Sequence, residues 1–136
     1  VILEHKQAIL ARLRADSALV NKTFDSEVKS TNGAAVPPAY CVVYTNQGQR
    51  EVERLNASQT RANFTFTIHS VGTSAEQAQA VAEKVYTQLL GFKPTIAGRN
   101  CWPVRAEMSQ SVRMDKDVLP PVFYAVDEFT LSSTPA

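Results

Sequence analysis

Residues 61–90 read RANFTFTIHSVGTSAEQAQAVAEKVYTQLL, and this stretch decides the fold. Phe64, Phe66 and Ile68 alternate with Thr65, Thr67 and His69, the period of two that a half-buried strand shows. The period then changes. Ala75, Ala78, Val81, Ala82, Val85, Leu89 and Leu90 recur at steps of three and four, which sets them on one face of a helix. Thr73 and Glu76 have the spacing of a capping box, so the Thr73 hydroxyl and the Glu76 carboxylate are expected to satisfy amides of the first turn. Gly91 stands where a left-handed C-terminal cap is wanted, Phe92 follows as its hydrophobic contact, and Pro94 forbids continuation. The strand is expected over residues 59–71, ended by Gly72, and the helix to about residue 90.

Outward from this unit the pattern is α+β. Residues 2–15 form an amphipathic helix with Ile2, Ile9, Leu10 and Leu13 as its apolar stripe. Ala18, Leu19 and Val20 make a short apolar patch under the core. Residues 29–38 (KSTNGAAVPP) are a loop, since Gly, Asn and paired Pro punctuate the chain. A strand follows over residues 39–45, with Tyr40, Val42 and Tyr44 on one face and Cys41 and Val43 on the other. Residues 46–49 read as a turn and 50–55 as a strand extension, which makes a long polar hairpin. Residues 100–108 are a strand carrying Pro103, which places it at an edge or at a bulge because proline cannot donate to a ladder. Residues 109–121 are polar and charged. Residues 122–131 are the last strand, and residues 132–136 are expected to be a flexible C-terminal tail beyond a single domain of residues 1–131. The order α-β-β-α-β-β predicts a largely antiparallel four-stranded sheet with helices packed on it.

The bulk numbers exclude several classes. The chain has 136 residues, a hydrophobic fraction of 44% and 14 basic against 13 acidic residues, for a net charge of +1. That balance argues against a dedicated nucleic-acid binder, which carries a basic excess. It leaves little repulsion between copies. No run approaches the ~20 apolar residues of a membrane span, and the first residues lack the features of a signal peptide. A cytoplasmic product with its two cysteines, Cys41 and Cys101, as reduced, buried small hydrophobes is the expectation.

Catalytic and metal signatures are missing. His5, His69, Cys41 and Cys101 have no short ligand spacing, and His69 reads as a half-exposed residue on the threonine face of its strand. The pairs Glu51/Glu53 and Asp115/Asp117 lack the glycine and remaining ligands of a calcium loop. No nucleophile elbow, phosphate loop or dinucleotide fingerprint occurs. No cofactor, metal or enzymatic activity is therefore expected. Asp127 and Glu128 suggest a strand end or an edge facing water or a partner. Arg50, Arg54, Arg61, Arg99, Arg105 and Arg113 read as a solvated surface, or at the hairpin as inter-subunit or phosphate contacts. Trp102 reads as a core or sheet-edge anchor, with a binding platform as the alternative.

The helix of residues 2–15, the Pro-led strand PAYCVVY (38–44), the strand FTFTIHS (64–70), the helix AEQAQAVAEKV (75–85) that follows at once, and the closing strand FYAVDEF (123–129) together resemble the tail-terminator (tail-completion) proteins of long-tailed bacteriophages. The resemblance implies a non-enzymatic virion protein that forms a ring, usually of six copies. Such a ring sits on the last ring of the tail tube, stops tube growth and meets the head connector or head-completion protein. It would be assembled in the host cytoplasm and lie at the head–tail junction. DNA would pass through its channel without sequence-specific binding. Arg50, Glu51, Glu53 and Arg54 in the first polar segment, and Arg113, Asp115, Lys116 and Asp117 in the second, are the expected contacts to neighbours or tube. The alternatives are a neck or head-completion protein of the same assembly, or a small cytoplasmic binding domain or enzyme, which would show an apolar cleft with converging polar groups.

Overall fold

The alternation at residues 64–69 becomes the central strand of a mixed sheet. The computed structural model describes residues 2–27, 39–46, 49–51, 61–117 and 121–135. The elements run α1 (Ile2–Arg14), β1 (Thr23–Asp25), β2 (Tyr40–Thr45), β3 (Gln49–Glu51), β4 (Arg61–Gly72), α2 (Ala75–Leu89), β5 (Arg99–Cys101), β6 (Arg105–Ser109), β7 (Arg113–Asp115) and β8 (Val122–Pro135). β4 and β8 pair antiparallel over residues 62–72 and 123–133 and form the spine. β2 and then β3 line the other edge of β4. β5, β6 and β7 line the free edge of β8 one after another. β1 pairs parallel with β2.

The fold is α+β as expected, but the sheet is neither four-stranded nor wholly antiparallel. β1 and β7 are additional, β3 falls on the expected strand extension, and the expected strand of residues 100–108 is divided into β5 and β6; β1, β3, β5 and β7 are each three residues long. Every residue of β6 is exposed. Segments so short or so uniformly wet carry no alternation, and their pairing is decided by the long strands they lie against. Pro103 falls where expected, at an edge. β5 and β6 are broken around it, Trp102 N–H donates to Ser132 O at 2.9 Å, and Val104 N–H turns away to Phe92 O at 2.8 Å. β6 also slips register against β8 between Ala106 and Met108.

The helices cover one face of the sheet. Phe64, Phe66 and Ile68 of β4, Phe129 and Leu131 of β8, Ile9 and Leu13 of α1, and Val85 and Leu89 of α2 are buried to 0% exposure. Each such side chain contributes about 1.5–3 kcal/mol of transfer free energy. The α1 stripe is joined by His5, which is equally buried. In the patch of residues 18–20 only Leu19 is buried, and Val20 is exposed. Leu90 is also exposed, because it caps α2 instead of continuing its apolar face.

The start of α2 is capped one residue later than the Thr73/Glu76 spacing suggests. Ser74 is the N-cap, its Oγ accepting from Gln77 N–H at 3.2 Å. Gln77 Oε1 in turn accepts from the Thr73 amide at 2.6 Å and hydroxyl at 2.8 Å. The reciprocal logic of the box survives, with glutamine in the role expected of Glu76. Gly72 belongs to β4, paired with Phe123. A Cβ there would come within 2.6 Å of Ala78 N, so the missing side chain lets α2 begin directly against the strand. Gly91 has φ +78°, as the left-handed cap requires.

Residues 132–135, expected as a flexible tail, continue β8. Ser132 and Ser133 are buried, and Ser133 pairs with Ala62 on one side and Cys101 on the other. Ser133 Oγ lies 2.7 Å from His5 Nε2 and accepts from Arg99 Nε at 3.1 Å and Nη2 at 3.0 Å. With both lone pairs taken by the guanidinium, the one hydroxyl proton is directed at His5 Nε2, which accepts it. His5 also packs against Phe64 at 4.3 Å between ring centroids. Ser133 of β8 thereby ties α1 to the sheet through a polar contact inside the core.

Candidate interaction surface

Because side chains alternate across a strand, the residues between the core positions form the opposite face of the sheet, away from both helices. The register brings Tyr40, Val42 and Tyr44 of β2 beside Thr67, His69 and Val71 of β4, and these beside Tyr124, Val126 and Glu128 of β8. His69 lies between two tyrosines. Its ring centroid is 5.0 Å from Tyr44 in an edge arrangement and 6.2 Å from Tyr124 in a stacked one. Burial holds the His69 imidazolium down, so the ring favours its neutral form. Phe24 of β1 meets Tyr40 edge-on at 5.8 Å. A hollow of about 470 Å³ opens here, lined by Tyr40, His69, Val71, Tyr124, Asp115 and Asp117 among others.

Of the second predicted contact group, Asp115 and Asp117 line this hollow. Arg113 pairs with Tyr124 and Asp115 with Val122, and Asp117 N–H donates to Asp115 Oδ1 at 3.0 Å. Arg113, Lys116 and Asp117 are exposed. Residues 113–115 of this segment are thus pinned along β8 as β7, and residues 118–120 lie outside the described residues. The first predicted group lies elsewhere. Arg50 and Glu51 are in β3, opposite Ala62 and Arg61, at the far end of β4 from β7. About ten residues of strand, roughly 30 Å, separate the two groups, so they do not form one site. Glu53 and Arg54 lie outside the described residues.

The sequence marks two further features as sites only in the alternative. At the β3 end of the sheet, the Arg61 guanidinium covers the exposed ring of Trp102 at 5.1 Å. Arg105 and Ser132 complete a hollow there of about 400 Å³. At the middle of β8, Asp127 points inward toward α2 and is 1% exposed. The expectation that it faces water fails, because β8 runs on for eight residues past it and the alternation puts it on the face of Phe129. Burial raises the Asp127 carboxyl above the ordinary range against the pull of hydrogen bonds from Ser109 and Tyr86. Cys41 and Cys101 are free and buried, as expected, and burial raises both thiols.

A family profile described as tail completion protein gp17 matches residues 7–123. That span takes in α1 from residue 7, the whole of α2, β1 to β7 and the first two residues of β8. The chain belongs to the tail completion protein gp17 family. A solved structure titled as the virion of a native gene transfer agent (GTA) particle contains a chain of the same fold, with TM-score 0.68 and 17% identity over 95% of this chain and 93% of that one. A second solved structure matches with TM-score 0.56 and 14% identity, covering 98% of this chain and 92% of that one. No curated protein matches. The resemblance read from the sequence is borne out as to family, and the family's description gives the chain a structural part in a tail.

Proposed function

We propose that this tail completion protein caps the tail tube of a phage-type virion, ends its polymerisation and presents the surface that the head connector or head-completion protein binds. Family membership across residues 7–123 carries the reading, and the fold shared with a chain from a gene transfer agent virion supports it. The subunit acts as a ring, with six copies as the expected number. Neighbours meet through two different faces of each copy, as a cyclic assembly requires. The long β4–β8 spine supplies a rigid body. Arg113, Asp115, Lys116 and Asp117 on the β7 rim make one set of contacts, and Arg50, Glu51, Glu53 and Arg54 of the hairpin make another. DNA passes through the channel without sequence readout, in keeping with the near-neutral charge. The protein resides at the head–tail junction after assembly in the host cytoplasm.

A lysate in which this gene is silenced tests the reading by electron microscopy. Over-length tails without heads are expected. Tails of normal length beside unattached heads would instead make it a neck or head-completion protein. Normal joined particles would refute a part in the tail.

A further inference from the structure

Between α2 and the segment after β6 lies a groove of about 360 Å³. Asp127 is at its base, and Gln79, Glu83, Tyr86, Gln110 and Ser111 are around it. Two observations single it out. Asp127 is almost wholly buried, yet beyond the reach of Ser109 and Tyr86 to its carboxyl its Oδ2 has no hydrogen-bond partner among the described residues. A carboxylate oxygen left in this state costs the fold free energy that a donor would recover. The described lining is also rich in acceptors, with two carboxylates, two amide carbonyls and hydroxyls, and no basic side chain. Such a wall asks for a cation with several N–H donors, and a guanidinium, with five in a plane, meets it better than an ammonium with three at one point.

We propose that this groove receives the guanidinium of an arginine from a second copy of this chain. The inference rests on the ring reading above and specifies one of its contacts. Charge complementarity favours a second copy as the source. Arg105 and Arg113 pair with Thr130 and Tyr124, on the face of the sheet turned away from α2, and Arg105 is 69% exposed at its side chain. These guanidinium groups are on the opposite face from the subunit's own Asp127, and a neighbour rotated about a ring axis brings one face against the other. Each subunit then offers both a socket and a plug, the heterologous arrangement that closes a ring. Basic and acidic residues are nearly equal in number, so repeating this contact accumulates little charge.

Two measurements on the full chain test the proposal. In the first, Nα-acetyl-arginine methylamide is titrated into ¹⁵N-labelled protein, with the lysine analogue and MgCl₂ as comparators. Saturable shifts at Asp127, Gln110 and Tyr86 are expected, with binding roughly tenfold or more weaker in Asp127→Asn, as the loss of one charged hydrogen bond predicts. Glu83→Gln, at an exposed position, provides a second variant that leaves the core untouched and weakens binding less. Shifts that Asp127→Asn leaves unchanged, a response to Mg²⁺ alone, or no shifts would overturn the socket. In the second, a photoreactive p-benzoylphenylalanine replaces the exposed Gln79 in assembled particles. Irradiation is expected to join two copies, through an arginine-containing peptide of the second. A cross-link to a different virion protein, or none in particles that contain this chain, overturns the second copy as occupant. Particles that lack the chain altogether refute the tail reading and the second-copy occupant with it, whereas the arginine titration stands or falls independently.

Discussion

Replacing Ser133 by alanine should cost far more than the exchange of an exposed serine ordinarily does. Ser133 is 0% exposed. Its hydroxyl proton is directed at His5 Nε2, and its lone pairs take two donors from Arg99. The change strips the buried His5 acceptor of this donor, and a buried polar group left unsatisfied costs about 1–3 kcal/mol. Arg99 keeps its bond to Ser133 O and is only half buried, so its loss adds little. The expected sum is about 2 kcal/mol. At roughly 3–5 °C per kcal/mol for a chain of this size, the midpoint should fall by roughly 6–10 °C. Urea and thermal unfolding followed by far-UV circular dichroism measure it, with Thr134→Ala, half-exposed on the same strand, as the control. A Ser133→Ala loss below about 0.5 kcal/mol, equal to the control, would refute the polar contact between α1 and β8. So would a chain cut after residue 131 that unfolds at the same midpoint.

Other expectations are checked in the same way. Phe129→Ala, at a fully buried position with an edge contact to Tyr86 at 5.0 Å, should lose about 3–5 kcal/mol in denaturant titration. Ser74→Ala should lose about 1 kcal/mol through the cap, whereas Thr73→Ala should lose less despite matching the capping-box spacing. Gly72→Ala should destabilise by more than the usual gain from replacing a glycine, since its Cβ meets the backbone of α2; a more stable variant would show that α2 shifts freely. The raised Asp127 carboxyl contributes stability that is fully present below the ordinary carboxylate value and lost as pH climbs through the folded value. Wild-type stability measured relative to Asp127→Asn should therefore decline from about pH 4 upward. A flat or rising difference would contradict the burial of this group.

Elements whose periodicity is long enough to be unambiguous were legible before any contact was known. Phe64, Phe66 and Ile68 set the face and span of β4, and the residues from Ala75 to Leu89 set α2, because burying one face of a strand or helix imposes its period on the chain. Gly91 was legible as a cap for a local reason, the absence of a Cβ at positive φ. Family likeness was legible for the same cause, since it was read from the order of these elements. Tertiary structure alone decided the rest. Ser132 and Ser133 look like a polar chain end, and only pairing on both sides shows them to be interior strand. Tyr44, His69 and Tyr124 lie far apart in the sequence and become one aromatic line only through the register of β2, β4 and β8. Asp127 carries the charge of a surface residue, and its place in the alternation, together with the eight residues of strand after it, is what turns it inward. Local spacing can announce a residue's face within its own element, but long-range pairing chooses the neighbours, and on those neighbours the surface chemistry of this tail completion protein depends.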